Sequence, residues 1–504
     1  MLDRTARACA AALALAASPA IAAPPSPADL ALLNRVSWGA SGTSAAALEQ
    51  AGAERRQQGQ LHPAPGDHLP PAAAAQIAAL TISRQPMTQL VRDADAFNRF
   101  GGSLPTPEQR SAAQGLYQQG LNELAREAAM RSLLRDLYSS DQLKEQMTWF
   151  WMNHFNVHQA KAAERAMIGD YEETAIRPHA LGRFRDLVEA TLRHPAMLRY
   201  LDNADNAAGH VNENYARELM ELHTMGVGSG YTQQDVQELA RILTGVGIDL
   251  SPVDPKVSPQ HVGELVHAGL FEFNPNRHDY GDKRLLGRVI KGRGFGEVEE
   301  ALDILCREPA TAHHISSELA QYFVSDDPPP KLVDAMSATF QRTDGDIAAV
   351  LDTLFHSKAF RDSLGTRLKD PVHFAVSAVR LGYDDKVILN TGPIQGWLGQ
   401  MGEGLYNHET PDGHSMSSAS WDAPGQMATR FEIARQIGSG SAGLFKAPTP
   451  DAADQPAFPQ LQNALYFEAL RQTLSPPTAA ALSKAQSPED WNTLYLASPD
   501  FMRR

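Results

Sequence analysis

A histidine lies inside an aromatic segment, residues 147–158, with the sequence MTWFWMNHFNVH. A helix over this segment places His154 on the same apolar face as Phe150 and Trp151, with Asn153 beside it. An imidazole in such surroundings needs partners for its ring nitrogens, because burying it unpaired costs a few kcal/mol. We predict either a core histidine bonded to a carbonyl or carboxylate, or a catalytic base and metal ligand at a pocket floor where Asn153 binds substrate.

A second group of polar residues follows one side of the predicted helix in the segment 211–226. This polar stripe consists of Asn214, Arg217, Glu218 and Glu221. Two carboxylates three residues apart, such as Glu218 and Glu221, repel each other unless a cation lies between them. The spacing predicts either a set of solvated charges or a catalytic stripe made of all four residues. In the second case the neighbouring Tyr215 would bind substrate.

A third polar segment, residues 273–283, is an Asx-rich loop that follows a short apolar stretch. Its His278 and Asp279 are candidate metal ligands, and Lys283 is a candidate substrate-binding cation. Arg177, at the end of another predicted helix, is a second such cation and a counter-ion for the carboxylates of the polar stripe. Asx-rich turns are also common without any function, so this loop depends on the other two segments for its interpretation.

If the three segments meet, their side chains form a polar cleft. The candidate ligands of a divalent metal are His154, Glu218, Glu221, His278 and Asp279. A metal held by such hard ligands would activate water for hydrolysis. Without a metal, a pair of carboxylates would serve as acid and base on a glycosidic bond. A lyase-like reaction would instead use Asn153, His154, Tyr215 and Arg217.

The same residues also fit a protein without catalytic activity. A buried network of ions would then order the helices. The residues of that network would be Arg177, Arg217, Glu218 and Glu221. The sequence contains no HExxH, GxSxG, Walker A or dinucleotide-binding motif that would decide the matter. An open cleft would favour an enzyme, and a closed, mutually satisfied network would favour a scaffold.

The first 22 residues predict a cleaved secretory signal peptide. Arg4 and Arg7 form a basic start, residues 8–17 are apolar, and Ala20-Ile21-Ala22 is a small-x-small cleavage site. The apolar stretch is too short to span a bilayer, and no later stretch is long enough either. We therefore expect a soluble periplasmic or extracellular protein without stable membrane insertion.

The formal net charge of the 504-residue chain is −14, and removing residues 1–22 takes away one net positive charge. So acidic a surface, without clusters of Lys or Arg, disfavours binding to nucleic acid. Cys306 is the only cysteine after the signal peptide, which excludes an intrachain disulfide and a cysteine-ligated zinc site in the mature chain.

Helical periodicity dominates the chain and predicts a mainly α fold, a large bundle-like body with few short strands and long ordered loops. Residues 23–105 are predicted to pack on this body as a helical and loop segment. Residues 106–385 form the helical core with the candidate site, and 386–504 form a loop-rich and helical C-terminal segment. Strand signals are few, the clearest being residues 270–273, and the stretch 391–424 reads as one long ordered loop.

Several sequence blocks, in this order along the chain, resemble one bacterial family. They include FWMNHFNVH, DYEETAIRPHALGRFRDL, HPAMLRYLDN, NENYARELMELHTMGV, FNPNRHDYGDKRLLG and TDGDIAAVLDTLFHSKAF. The chain is therefore similar, over roughly residues 30–440, to the family labelled domain of unknown function 1800. The resemblance implies an exported protein, often encoded beside a secreted family that resembles alkaline-phosphatase-type hydrolases, and it implies no particular reaction. The leading hypothesis is thus a hydrolase-like envelope enzyme, and the alternative is a non-catalytic scaffold or partner of a co-exported hydrolase.

Overall fold

The computed structural model describes residues 25–251, 253, 255–447 and 453–504. The predicted signal peptide, residues 1–22, lies outside the described residues. The N-terminal helices are α1 (Pro27–Val36), α2 (Gly42–Ala51), α3 (Ala53–Leu61), α4 (Pro71–Ala79), α5 (Thr81–Arg84) and α6 (Met87–Ser103). The middle helices are α7 (Pro107–Tyr138), α8 (Gln142–His154), α9 (Ile168–Asp170), α10 (Phe184–Leu192), α11 (Pro195–Tyr200), α12 (Asn214–Glu221), α13 (Gln233–Ile242), α14 (Gly296–Arg307), α15 (Pro309–Phe323), α16 (Pro330–Arg342), α17 (Ile347–Phe355) and α18 (Lys358–Ser363). The last helices are α19 (Pro371–Tyr383), α20 (Gly392–Gln400), α21 (Pro424–Gly438), α22 (Ala464–Glu468), α23 (Pro476–Leu482) and α24 (Pro488–Leu496).

Strands are few and short, which confirms the mainly α prediction. The described chain has β1 (Val246–Ile248), β2 (Val266–Ala268), β3 (Phe271–Phe273), β4 (Lys283–Leu285) and β5 (Arg288–Ile290). An antiparallel sheet with the order β1-β3-β2 has the aromatic strand β3 at its centre, and β4 pairs with β5. Phe273 of β3 is opposite Val246 on one side and Val266 on the other, as suits a buried central strand.

Two apolar cores organise the helices. The first core takes its residues mainly from the middle helices, together with Leu61 and Val91 of the N-terminal segment. The second core contains the last helices, the end of α7 and the N-terminal residues Leu30 and Trp38. The N-terminal segment therefore packs against both cores, and Trp149 touches both from its place between them.

Helix α19 is the central helix of the second core, and every one of its residues is buried. A helix that is apolar on all sides is stable only when it is surrounded by other elements, and α19 is surrounded by α7, α20 and α21. After the end of α7, the chain thus rejoins the second core at α19, ahead of the boundary at 385 that the sequence suggests. Any polar side chain on α19 is consequently buried as well.

Local sequence signals explain several helix ends. Thr106 caps α7 and Thr232 caps α13, each by accepting a hydrogen bond from the third residue of its helix. The stretch 391–424 is only partly the expected loop, because its start forms α20 around a buried Trp397. No helix among the described residues is long and apolar enough to cross a membrane.

Candidate functional site

His154 is a core histidine with both ring nitrogens occupied. Its Nδ1 lies 2.7 Å from Oε2 of Glu318, and its Nε2 lies 3.1 Å from the backbone oxygen of His223. Burial disfavours the charged Glu318 carboxylate, but the nearby His154 ring outweighs this and lowers the pKa of Glu318. The structure therefore shows the arrangement expected of a core histidine, and His154 could ligate a metal only by giving up one of these contacts.

His223 completes a group of three imidazoles with His154 and His314. The ring centroids of His223 and His314 lie 5.9 Å and 6.2 Å from that of His154. His223 is fully buried, and both of its ring nitrogens lack a hydrogen-bond partner among the described residues. Burial and the two neighbouring rings hold the pKa of His223 well below its usual range, so its ring is neutral.

The polar stripe on α12 separates into residues with different partners. Arg217 bonds to Glu213 at 3.1 Å and lies 3.4 Å from Glu221, so the expected cation is present within the helix itself. Asn214 donates from Nδ2 to the backbone oxygen of Leu201 at 3.1 Å, which ties α12 to the end of α11.

The neighbouring Tyr215 lies in the first core and is 1% exposed. Its ring therefore has no surface to offer a substrate, so the predicted substrate-binding role of Tyr215 is wrong. The other residues predicted on this helix, Asn214, Arg217, Glu218 and Glu221, are all partly exposed.

Arg177 takes part in a different ion network from the one predicted. Its guanidinium donates to both carboxylate oxygens of Glu145, at 3.0 Å and 2.8 Å, and Nη2 lies 2.7 Å from Asp67. Burial disfavours the charged guanidinium and would lower the pKa of Arg177, but these carboxylates outweigh it and raise the pKa above its usual value. The predicted pairing with Glu218 or Glu221 is therefore wrong, because Arg177 is saturated by closer carboxylates.

The His-Asp loop also has its own partners. His278 Nε2 lies 2.9 Å from Oε1 of Glu297, and Lys283 Nζ donates to Oε2 of the same carboxylate at 2.5 Å. The side chains of these three residues are 0% exposed. Asp279 instead accepts two hydrogen bonds from Arg241, at 2.9 Å and 3.2 Å. Lys283 is thus a buried structural cation, out of reach of a substrate.

The predicted metal site is not assembled. No group of three or more His, Cys, Asp or Glu side chains among the described residues is placed to hold a metal ion. The physical reason is visible at each predicted ligand, since His154, His278 and Asp279 already bond to other side chains. The three segments share the first core, yet their polar groups form separate interactions within it.

The 402–422 loop covers the end of α8, and the two asparagines of the aromatic segment hold it there. Asn153 exchanges two hydrogen bonds with the backbone of His414, at 2.9 Å and 2.7 Å. Asn156 donates to the backbone oxygens of two further loop residues. Gly413 has a φ of +71°, and a Cβ there would lie 2.2 Å from the backbone oxygen of Asn153. Only glycine fits so close an approach.

This loop brings a carboxylate, Asp412, near the polar stripe of α12. Burial raises the pKa of Glu218, and the charges of Glu221 and Asp412 raise it further, whereas Arg217 opposes them. Burial also raises the pKa of Tyr200, and the charges of Asp412 and Glu218 raise it further. We call Glu218, Glu221, Asp412 and Tyr200 the acidic face. Because Glu218 is half-buried and Asp412 is exposed, this face is accessible to a ligand.

A small cavity of about 30 Å³ lies beneath the 402–422 loop, and Asn153, Glu172, Glu403 and His414 line it. Burial raises the pKa of both glutamates, so the two carboxyl groups are held toward their neutral forms. The Oε1 atom of Glu403 has no hydrogen-bond partner among the described residues. Space of this size holds one or two water molecules.

Another concentration of buried polar groups surrounds the start of α19, and we call it the α19 polar centre. Its members are Gln146, Lys369, Asp370, His373, Ser377, Glu403, Arg430 and Arg504. Asp370 caps the helix and lies 2.7 Å from Nδ1 of His373, while Arg504 donates to His373 Nε2 at 2.6 Å. His373 therefore accepts at Nε2, and burial together with Arg504 lowers its pKa to about 3.

None of these residues was singled out from the sequence, although a signal for them exists. The segment 371–383 is apolar on almost every side of its helix, which indicates a helix buried all round. The few polar residues in and next to such a helix must then be buried and paired. What the sequence could not supply is the identity of the partners, since Arg504 lies 131 residues from His373.

Comparisons with known proteins give a family and no activity. One family model, described as Protein of unknown function (DUF1800), matches residues 31–503, and so covers nearly the whole chain. No curated protein matches the chain, and no solved structure matches it either. The match extends further toward the C-terminus than the resemblance seen in the motifs, which ends near residue 440. The chain belongs to the family described as Protein of unknown function (DUF1800).

Proposed function

We propose that the protein is an exported hydrolase-like enzyme of the cell envelope, with the acidic face as its catalytic surface. The observation that carries the proposal is the environment of Glu218, whose pKa is raised by burial and by two neighbouring carboxylates. A carboxyl group held toward its protonated form can act as a general acid. Asp412, whose charge acts on Glu218, supplies the second carboxylate. Such a pair of carboxyl groups is the usual catalytic machinery for hydrolysis of a glycosidic bond.

Accessibility supports this surface over the other polar clusters. The side chain of Asp412 is 63% exposed, whereas the Glu297 carboxylate and its partners are 0% exposed. The 402–422 loop positions Asp412 through bonds from Asn156, which contacts the backbone on the N-terminal side of the turn. Asn153 and Asn156 of the aromatic segment therefore support the site from behind, by holding the backbone of the loop, without contacting the substrate.

The first prediction concerns the catalytic acid. Glu218→Gln keeps the shape of the side chain but removes its proton, so hydrolysis of chromogenic aryl glycosides of both anomeric types should fall by about 10²–10⁴-fold. Activity of the wild-type protein should fall as the pH rises through the raised pKa of Glu218, because the acid must be protonated.

Glu213→Gln is the matched control, since Glu213 precedes the same helix and bonds to Arg217 away from Asp412. It should retain activity. A wild-type protein that hydrolyses none of the glycosides, or a Glu218→Gln variant with unchanged turnover, would contradict the proposal.

Export is the second prediction. The leader at residues 1–22 should be removed when the full chain is produced in a bacterium, which leaves Ala23 as the first residue. Intact mass of the protein from the periplasmic fraction or the medium measures this. A full-length chain confined to the cytoplasm would refute it.

A second candidate function rests on a separate observation. Three of the predicted functional side chains, Arg177, His278 and Lys283, lie in closed networks whose charges are mutually paired. Such networks order helices without leaving a group free for substrate. They favour a periplasmic scaffold or a partner of a co-exported hydrolase, and the glycoside assay separates this function from the first.

A further inference from the structure

A lysine and a serine of the α19 polar centre are adjacent at the edge of the second core. Nζ of Lys369 lies 3.0 Å from Oγ of Ser377. Lys369 precedes the N-terminal cap of α19, and Ser377 lies within the helix, two turns further on. Both side chains are almost fully buried, and the hydrogen bond to Ser377 is the polar contact of the Lys369 amine in the described structure. The pair is separate from the acidic face.

Both residues line one cavity of about 60 Å³. Its walls include Asn34, Thr473 and Arg503. Thr473 and Arg503 are exposed, so the cavity meets solvent on their side. The space corresponds to about four water molecules, enough for a small acyl group beside Ser377.

We propose that Ser377 and Lys369 form a nucleophile and base pair that takes small acyl groups. Ser377 Oγ forms a bond to the acyl carbon as its proton moves to Lys369 Nζ, and the bond from that carbon to the leaving group breaks. The ammonium of Lys369 then gives the proton to the leaving group. Water attacks the resulting ester in the same way and frees Ser377 again.

The surroundings of Lys369 suit a neutral amine. The charged and titratable groups around it are Asp370, His373, Arg430, Tyr495, Asp500, Arg503 and Arg504. Burial, then Arg504 and Arg430, lower the pKa of Lys369 well below its usual value, although Asp370 opposes them. The Phe501 ring, 3.6 Å from Nζ, favours the ammonium, but a single aromatic face does not offset burial beside the two guanidinium groups of Arg504 and Arg430.

The wall of the cavity also offers a donor for the oxyanion. Asn34 accepts a hydrogen bond from the backbone nitrogen of Ala40 with its Oδ1, at 2.8 Å. This bond fixes the orientation of the Asn34 side-chain amide, because its oxygen must face the backbone nitrogen of Ala40. The NH₂ group of Asn34 therefore remains to donate into the cavity. A side-chain amide of this kind stabilises the negative charge that develops when serine attacks an acyl carbon.

Methanesulfonyl fluoride is a small probe for this pair. Attack by Ser377 forms an O–S bond and expels fluoride, which leaves with the serine proton. The full chain treated at pH 8 should carry one methylsulfonyl group, and peptide mass spectrometry should place it on Ser377. Ser498 is the control serine, because it is also buried and donates to a backbone oxygen, that of Tyr495 at 2.7 Å, as Ser377 does to that of Phe374 at 3.2 Å. Only Ser377 of these two has the Lys369 amine bonded to its Oγ among the described residues. It should stay unlabelled.

Lys369→Met keeps an unbranched apolar chain against Phe501 and should slow the labelling about 100-fold. If this variant does not fold, the wild-type pH dependence serves instead. Labelling should reach half its maximum well below about pH 10.4, where a free lysine amine titrates. Folded wild-type protein without label on Ser377, labelling unaffected by Lys369→Met, or half-maximal labelling at the free-lysine pH would each overturn the proposal. Loss of glycosidase activity in Glu218→Gln has no bearing on it.

Discussion

Glu297→Ala is expected to destabilise the protein by about 3–5 kcal/mol. The carboxylate of Glu297 is the shared anion of His278 and Lys283, at 2.9 Å and 2.5 Å, and it also accepts the backbone nitrogen of Arg293 at 2.7 Å. Its removal leaves an ammonium group buried without a counter-ion and a cavity beside it. Breaking a buried pair from one side costs far more than the pair contributes when it is intact.

The measurement is urea unfolding followed by tryptophan fluorescence at pH 7. Glu300→Ala is the matched control, since Glu300 lies on the same helix and pairs with Arg293 on the surface, where an ion pair contributes at most about 1 kcal/mol. Glu297→Gln should fall between the two, because an amide keeps one acceptor but not the charge. Equal unfolding midpoints for Glu297→Ala and Glu300→Ala would contradict the importance of this network.

Glu164→Met should stabilise the protein at pH 8 by about 1–3 kcal/mol. Glu164 is 0% exposed, and both of its carboxylate oxygens lack a hydrogen-bond partner among the described residues. Burial raises the pKa of Glu164 well above its usual value, although Arg199 and Lys161 oppose the shift. Methionine has a similar volume and no polar group to desolvate.

The gain should depend on pH in a definite direction. Below about pH 4.3 the carboxyl is protonated in both the folded and the unfolded chain, so the folded form carries no charge penalty. As the pH rises through the raised pKa of Glu164, the unfolded chain ionises first, and folding stability from this group is lost. The advantage of Glu164→Met should therefore be larger at pH 8 than at pH 4.5.

Urea midpoints of wild type and variant at pH 4.5, 6 and 8 test this difference. Glu123→Met, which replaces an exposed glutamate on α7, should show no such pH-dependent gain. A constant difference between Glu164→Met and wild type at all three pH values would show that the buried carboxyl is not the source.

The fold could be predicted from the sequence because its signals are local. The caps at Thr106 and Thr232 and the aromatic strand at residues 271–273 depend on neighbours within a few positions. The sequence predicts a loop at the start of α20, because its Gly and Pro residues are typical of turns, and only the burial of Trp397 reveals the helix.

The site was harder to predict, because its pairings are long-range. Helical spacing correctly put His154 on an apolar face, but nothing near it in sequence indicates Glu318 as its partner, 164 residues away. The same holds for Arg177, which its charge and its place at a helix end suggest as a counter-ion of Glu218 or Glu221, whereas the fold places it against Glu145. Residue type and helical periodicity predict on which face of a helix a polar side chain lies. Its hydrogen-bond or ion-pair partner depends on tertiary packing, which the periodicity does not show.

The guanidinium of Arg35 joins the beginning of the described chain to its end, which bears on how the protein folds. It donates to the backbone oxygens of Ser363 and Arg504, both at 2.6 Å, and the second contact spans 469 positions. Contacts of such long sequence separation form slowly, since most of the chain must be ordered first. Closure of the second core is therefore a late folding event. Until it occurs, the apolar sides of α1 and α19 are open to aggregation or to a chaperone.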